Sequence, residues 1–124
     1  KYAVVGFGSA GRISLSAVRA ARAEGIPVGL IRPITLNPFP VQVIREAAEQ
    51  VDGLLVVEMN SGQMLEDVQR VVSGRTPVEF YGRLGGIMPL PEEILDEIHR
   101  ITAGPMIDDG NPRDRWLARM PVKG

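Results

Sequence analysis

The apolar positions of this chain fall into two alternating rhythms. Ala3-Val4-Val5-Gly6-Phe7, Ile26 to Ile31, Leu54-Leu55-Val56-Val57 and Pro77 to Tyr81 are short, nearly continuous apolar runs. Runs with so little alternation predict strands covered on both faces, as inside a parallel sheet. Between and after them the apolar residues recur at helical spacing: Ile13, Leu15 and Val18; Val41, Ile44, Ala47, Ala48 and Val51; Met64, Leu65, Val68, Val71 and Val72; Ile94, Leu95, Ile98 and Ile101. Glu66, Asp67 and Arg70 occupy the opposite side of the third helix. Punctuation agrees with this reading. Ser9 is available to cap the first helix, Pro40 suits the first helical position of the second, and Gly25 and Gly74 stand where helices end. Glu92 and Glu93 suit the start of the helix that follows Pro91.

Strand and helix therefore alternate four times. The expected fold is α/β: three layers, α/β/α, around a mainly parallel four-stranded sheet in the order 2-1-3-4, joined by right-handed crossovers. Residues 1–101 form this domain. From Thr102 the pattern dissolves into Gly104, Pro105, Asp108-Asp109-Gly110-Asn111-Pro112 and alternating Arg and Asp. Residues 102–124 are expected to be an irregular tail, pinned by Trp116 and Leu117, with Arg113, Asp114 and Arg115 as a solvated face.

Composition narrows the chemistry. The 124 residues are 44% hydrophobic and 23% charged, with a net charge of −1 and a pI near 5.8, which gives no electrostatic case for nucleic acid or an anionic membrane. No apolar run approaches a membrane span and no signal peptide is visible, so the cytoplasm is the expected location. There is no cysteine, and His99 is the single histidine. Thiolate-held clusters, disulfides and thiol nucleophiles are thereby excluded within this sequence. Lysine occurs only at Lys1 and Lys123, so neither a phosphate-loop nor a Schiff-base lysine is at hand. The opening at Lys1, almost directly inside a strand, suggests a piece of a longer polypeptide.

Gly6-Phe7-Gly8-Ser9-Ala10-Gly11 matches the dinucleotide pattern G-x-G-x-x-G between a strand and a helix. Its amides could hold the phosphates of NADP or CoA, and Arg32 stands near the place of the usual ribose-binding acid. The plainer account is that the glycines permit a tight turn and close packing. Glu58 ends a central strand, where α/β sheets bind ligands; the plainer account hydrogen-bonds it to loop amides or to Arg32. Gly82-Arg83-Leu84-Gly85-Gly86 could face an anion or lie flat against a neighbouring domain. His99 reads as a surface residue and the five methionines as fillers of core or interface gaps.

Three segments carry more information together: Ile31-Arg32-Pro33-Ile34-Thr35-Leu36-Asn37-Pro38-Phe39-Pro40, Val57-Glu58-Met59-Asn60-Ser61-Gly62-Gln63-Met64, and Phe80 to Gly86 with Pro89 and Pro91-Glu92-Glu93-Ile94. Over about residues 3–101 the chain resembles the α subunit of 2-oxoacid:ferredoxin oxidoreductases, in the part corresponding to the transketolase C-terminal-like domain. It looks closest to the branched-chain (3-methyl-2-oxobutanoate, ketoisovalerate) type, with the 2-oxoglutarate type next. Asn37, Ser61 and Leu84 depart from the family's usual residues.

The resemblance implies a multisubunit enzyme that oxidatively decarboxylates a 2-oxoacid to an acyl-CoA and reduces ferredoxin. Thiamine diphosphate, Mg, iron–sulfur clusters and CoA are implied for the whole enzyme and none for this piece, which lacks the thiamine diphosphate signature and is expected to be inactive alone. Its implied partners are other domains of the α subunit, the subunits that carry those cofactors and, through the complex, ferredoxin. The family's additional antiparallel edge strand would precede Lys1, leaving a sheet edge exposed. Arg32, Glu58, Asn60, Arg83, Gly85 and Gly86 are expected to cluster at the carboxyl edge of the sheet as an interface, with Arg32 and Glu58 as a polar clamp and no catalytic residue among them.

Overall fold

The computed structural model describes residues 1–34, 39–59, 63–72, 74–82, 89–106 and 110–119. In chain order the elements are β1 (Tyr2–Gly6), α1 (Ser9–Ala23), β2 (Val28–Ile31), α2 (Val41–Gln50), β3 (Gly53–Glu58), α3 (Gln63–Val72), β4 (Val78–Gly82), α4 (Pro91–Thr102) and α5 (Pro112–Arg119). All strand pairs are parallel and the order is β2-β1-β3-β4. Register places Val5 between Ile31 and Val56, and Val56 against Phe80. The expected α/β architecture and strand order are thus observed.

Alternation along each strand sends side chains to two separate cores. On one face Val4, Leu55 and Val57 meet Ala17, Val18 and Ala21 of α1 and Ile94, Ile98 and Ile101 of α4. On the other, Val5, Leu54, Val56 and Phe80 meet Ile44 of α2, Leu65 and Val68 of α3, and Trp116 of α5. Because β3 is buried along its whole length, it reads as an unbroken apolar run ending in one carboxylate.

Local geometry departs from the sequence expectation in a few places. Gly8, at φ 60°, precedes α1, so Ser9 is the first helical residue and its side chain caps nothing. Pro40 occupies the N-cap of α2, one position before the helix proper. Gly25 does end α1 as expected: at φ 86° it donates to Arg22 O at 3.0 Å while Ile26 donates to Ala21 O at 3.1 Å. That pair of bonds satisfies two terminal carbonyls and needs a left-handed residue.

The tail differs most. Instead of an irregular segment, residues 112–119 form α5, which packs on β4. Trp116 is buried and meets the Phe80 ring edge-to-face at 5.0 Å, whereas Leu117 is exposed. Arg115 is not a solvated side chain: its Nε donates to Glu79 at 2.8 Å. Met106 turns back over Gly53, its sulfur occupying the place a Cβ there would need. The outer edge of β4 is therefore covered, and no further strand lies beside β2 among the described residues.

Candidate functional site at the carboxyl rim

Every strand points the same way, so the loops leaving β1, β2, β3 and β4 share one rim. β1 and β3 are adjacent, yet α1 leaves β1 for one face and α3 leaves β3 for the other. This divergence opens a crevice at the carboxyl ends, the usual ligand position of the architecture. A depression of about 200 Å³ there is lined by Phe7, Gly8, Ser9, Val57, Glu58 and Met64. A second, of about 430 Å³, adjoins it through Phe7 and Gly8 and is bounded by Arg32, Pro33 and Ile34.

Glu58 forms the polar floor. It is buried, and its two oxygens accept the backbone amides of Met64 at 3.0 Å and Leu65 at 2.8 Å. The carboxylate thus caps α3 across the turn, satisfying amides that the helix leaves without partners. Burial pushes its pKa up; the two amide bonds oppose this, and the Asp67 and Glu66 charges add to it.

Arg32 does something different. Its Nε lies 3.0 Å and its Cγ 3.2 Å from where a Cβ on Gly11 would stand, so the side chain crosses the glycine turn. A Cβ on Gly11 would also fall 2.6 Å from Gly6 O. These two glycines allow strand and helix to touch, which is the packing account of the motif. No ion pair joins Arg32 to Glu58 among the described residues. The expected clamp is not formed, because α3 amides saturate Glu58 and Arg32 is laid over Gly11. Asn60, Arg83, Gly85 and Gly86, like Asn37, Ser61 and Leu84, lie outside the described residues.

The sequence reading missed the apolar part of this rim. Phe7, Ile34, Val41, Val43 and Leu90 are large apolar side chains left exposed, Ile34 at 97%. Each follows a strand's carboxyl end or opens the next helix, so all five belong to the same rim. Val41, which helical spacing groups with Ile44 and Ala48, is exposed at the start of α2, and Val43, off that spacing, was the available signal.

A second cluster was also missed. Glu79 on β4 is only 3% exposed and binds Arg100 of α4 at 2.8 Å and Arg115 of α5 at 2.8 Å. Arg119 lies 3.7 Å away and binds Glu97 at 2.9 Å. A charged residue inside the run Val78-Glu79-Phe80 signals that cations must come from elsewhere in the chain. His99 is on the surface, 2.8 Å from Glu24.

The donors do not fit an iron–sulfur cluster, since the sequence holds no cysteine. Among the described residues no three His, Asp or Glu side chains come together as a metal site. Nor is any helix among them long and apolar enough to cross a membrane.

Fold and rim together define the class: a parallel three-layer α/β domain with a crevice at its switch point and exposed apolar side chains at the same end of the sheet. Within that class, the chain belongs to the pyruvate:ferredoxin oxidoreductase core domain II family, whose model matches residues 1–94. It is 48% identical over 95 residues to the 2-oxoglutarate synthase subunit KorA of Methanothermobacter marburgensis, covering 77% of this chain and 25% of that one. Against the ketoisovalerate oxidoreductase subunit VorB of Methanothermobacter thermautotrophicus it is 47% identical over 98 residues, 79% of this chain and 28% of that one. The chain therefore spans about a quarter of the length of these curated relatives. The fold is shared with a 2-oxoglutarate:ferredoxin oxidoreductase from Magnetococcus marinus solved with 2-oxoglutarate, coenzyme A and succinyl-CoA bound: TM-score 0.67, 23% identity, 81% of this chain and 17% of that chain. It is shared too with a split-gene transketolase in an inactive beta4 tetramer: TM-score 0.69, 16% identity, 83% of this chain and 38% of that chain. The resemblance to 2-oxoacid:ferredoxin oxidoreductase subunits is borne out.

Proposed function

We propose that this chain is a non-catalytic assembly domain of a thiamine-diphosphate-dependent 2-oxoacid:ferredoxin oxidoreductase, presenting its carboxyl rim to the rest of the enzyme. The observation that carries this reading is the exposure of Phe7, Ile34, Val41, Val43 and Leu90 at the carboxyl end of the sheet, where Phe7 and Ile34 also line a shallow crevice. Large apolar side chains left exposed at one end of a sheet are suited to contact with other protein. Arg32 stands beside the crevice as a polar rim residue, and Asn60, Arg83, Gly85 and Gly86 are included in the proposed interface from the sequence alone. Thiamine diphosphate, Mg, the iron–sulfur clusters and CoA are then held by other parts of the assembly, where a 2-oxoacid is oxidatively decarboxylated and ferredoxin reduced. Glu58 serves here as an internal cap, which keeps the start of α3 in place beside the crevice.

The test is made in the full-length subunit. Phe7→Asp combined with Ile34→Asp should leave the domain folded and abolish co-purification of the partner subunits. Retained assembly at wild-type yield would contradict the proposal.

A second reading takes the Gly6–Gly11 turn as a site for the phosphates of NADP or CoA, favoured by the Arg32 side chain lying over Gly11. Thermal shift with NADPH and with CoA distinguishes the two. A shift lost in Arg32→Ala supports this reading, and no shift leaves assembly as the role of the rim.

A further inference from the structure

The outer edge of β4 is closed in an unusual way. Leu54 N donates to Pro77 O across the β3–β4 pair. Carbonyls alternate along a strand, so those of Val78 and Phe80 face away from β3. Both are taken by arginines of α5: Arg115 Nη2 donates to Val78 O at 2.9 Å and Arg119 Nη2 to Phe80 O at 3.4 Å. The spacings match. Four residues of helix rise about 6 Å, and two residues of strand span about 6.6 Å. A helix can therefore lie beside a strand and satisfy alternate carbonyls with residues i and i+4. Trp116, next to Arg115, seats the helix on Phe80, and Glu79 fixes Arg115 and Arg119 from β4 itself.

We infer that α5 is a guard on this edge, and that Arg115 and Arg119 keep a second copy of the chain from adding its own β4. An uncovered strand edge is a template for pairing, and β4 is well suited to pair with itself. In an antiparallel pair centred on Phe80, residues 78, 80 and 82 of one copy oppose 82, 80 and 78 of the other. All of these direct their peptide groups outward. Glu79 then stands opposite Tyr81, so no carboxylates are opposed; a centre at Glu79 would set like charges face to face. The register is thus specified by charge. α5 lies beyond residues 1–94, which the family model matches.

Sedimentation velocity across a concentration series tests this on the whole chain. Wild type is the baseline and is expected not to associate through β4, leaving the amides of Val78 and Phe80 unprotected by a partner. Arg115→Ala/Arg119→Ala should show a concentration-dependent doubling of mass, with the Trp116 emission shifted to the red and new amide protection at Val78 and Phe80. A variant with no mass increase over wild type at any concentration and with Trp116 exposed would overturn the inference, as would a wild type that pairs equally well through β4, with Val78 and Phe80 protected. Should the double variant fail to fold, Arg119→Ala alone decides it: doubled mass supports the guard and single-copy mass opposes it.

Discussion

The two rims of the sheet are built to different standards. At the amino ends of the strands, polar groups are paired within the chain. Gly25 closes α1 with two backbone bonds, Thr76 Oγ1 donates to Ala48 O at 2.9 Å, and Glu24 holds His99. Met106 fills the space above Gly53. At the carboxyl ends Phe7, Ile34, Val41, Val43 and Leu90 stay exposed, and Arg32 crosses a glycine turn without an ion pair among the described residues. Among the described residues, one rim carries several polar pairs made within the chain. The other, under the function proposed above, is half of an interface with the rest of the enzyme.

The largest effect is expected where both rims share a support. Phe80 is fully buried and carries Trp116. Phe80→Ala should cost about 3–5 kcal/mol in urea unfolding and loosen α5 with it. A loss under ~1 kcal/mol would show that α5 contributes little to the scaffold.

Next comes the turn beneath the carboxyl rim. Gly11→Ala drives a Cβ to 2.6 Å from Gly6 O, backbone that cannot swing aside, and should cost about 1–3 kcal/mol. Gly25→Ala at the opposite rim meets no neighbour and strains only its φ of 86°, so about 1 kcal/mol is expected. Equal losses in the two variants would remove this part of the contrast.

Glu58 sharpens the comparison through pH. Its folded pKa is raised mainly by burial. Its contribution to stability is therefore fullest below its unfolded pKa and declines as pH rises through the folded value. Following the Met64 and Leu65 amides by NMR should give a midpoint above the ordinary glutamate range. Glu58→Gln should flatten that segment of the stability profile. A midpoint within or below the ordinary glutamate range would mean that the amide bonds outweigh burial.

The smallest effect belongs to the amino rim. The His99–Glu24 pair is nearly half exposed on both sides, so His99→Ala should change stability by less than about 0.5 kcal/mol.

The scaffold was legible because burial on two faces leaves a run such as Leu54 to Val57 with no polar member, and helix periodicity then sorts the intervening segments. Glu58 was legible as a strand-end carboxylate bound by backbone amides, though those amides belong to the first turn of α3 and not to a loop. Other features escaped because they depend on residues far apart. Arg115 reads as solvated beside Arg113 and Asp114, and only the return of α5 onto β4 brings it to Glu79. Exposed Ile34 and Val43 look ordinary in the sequence, because their shared rim exists only once four strands run parallel. The Arg32–Glu58 clamp was drawn from two strand ends in the same sheet, without the competition of the α3 amides for that carboxylate.

Hydroxyl-radical footprinting of Phe7, Ile34, Val43 and Leu90, in this chain alone and within the intact oxidoreductase, tests the central claim most directly. Strong protection of these four in the complex is predicted, with His99 at the amino rim reacting equally in both. Undiminished labelling of Phe7 and Ile34 in the assembled enzyme would contradict it.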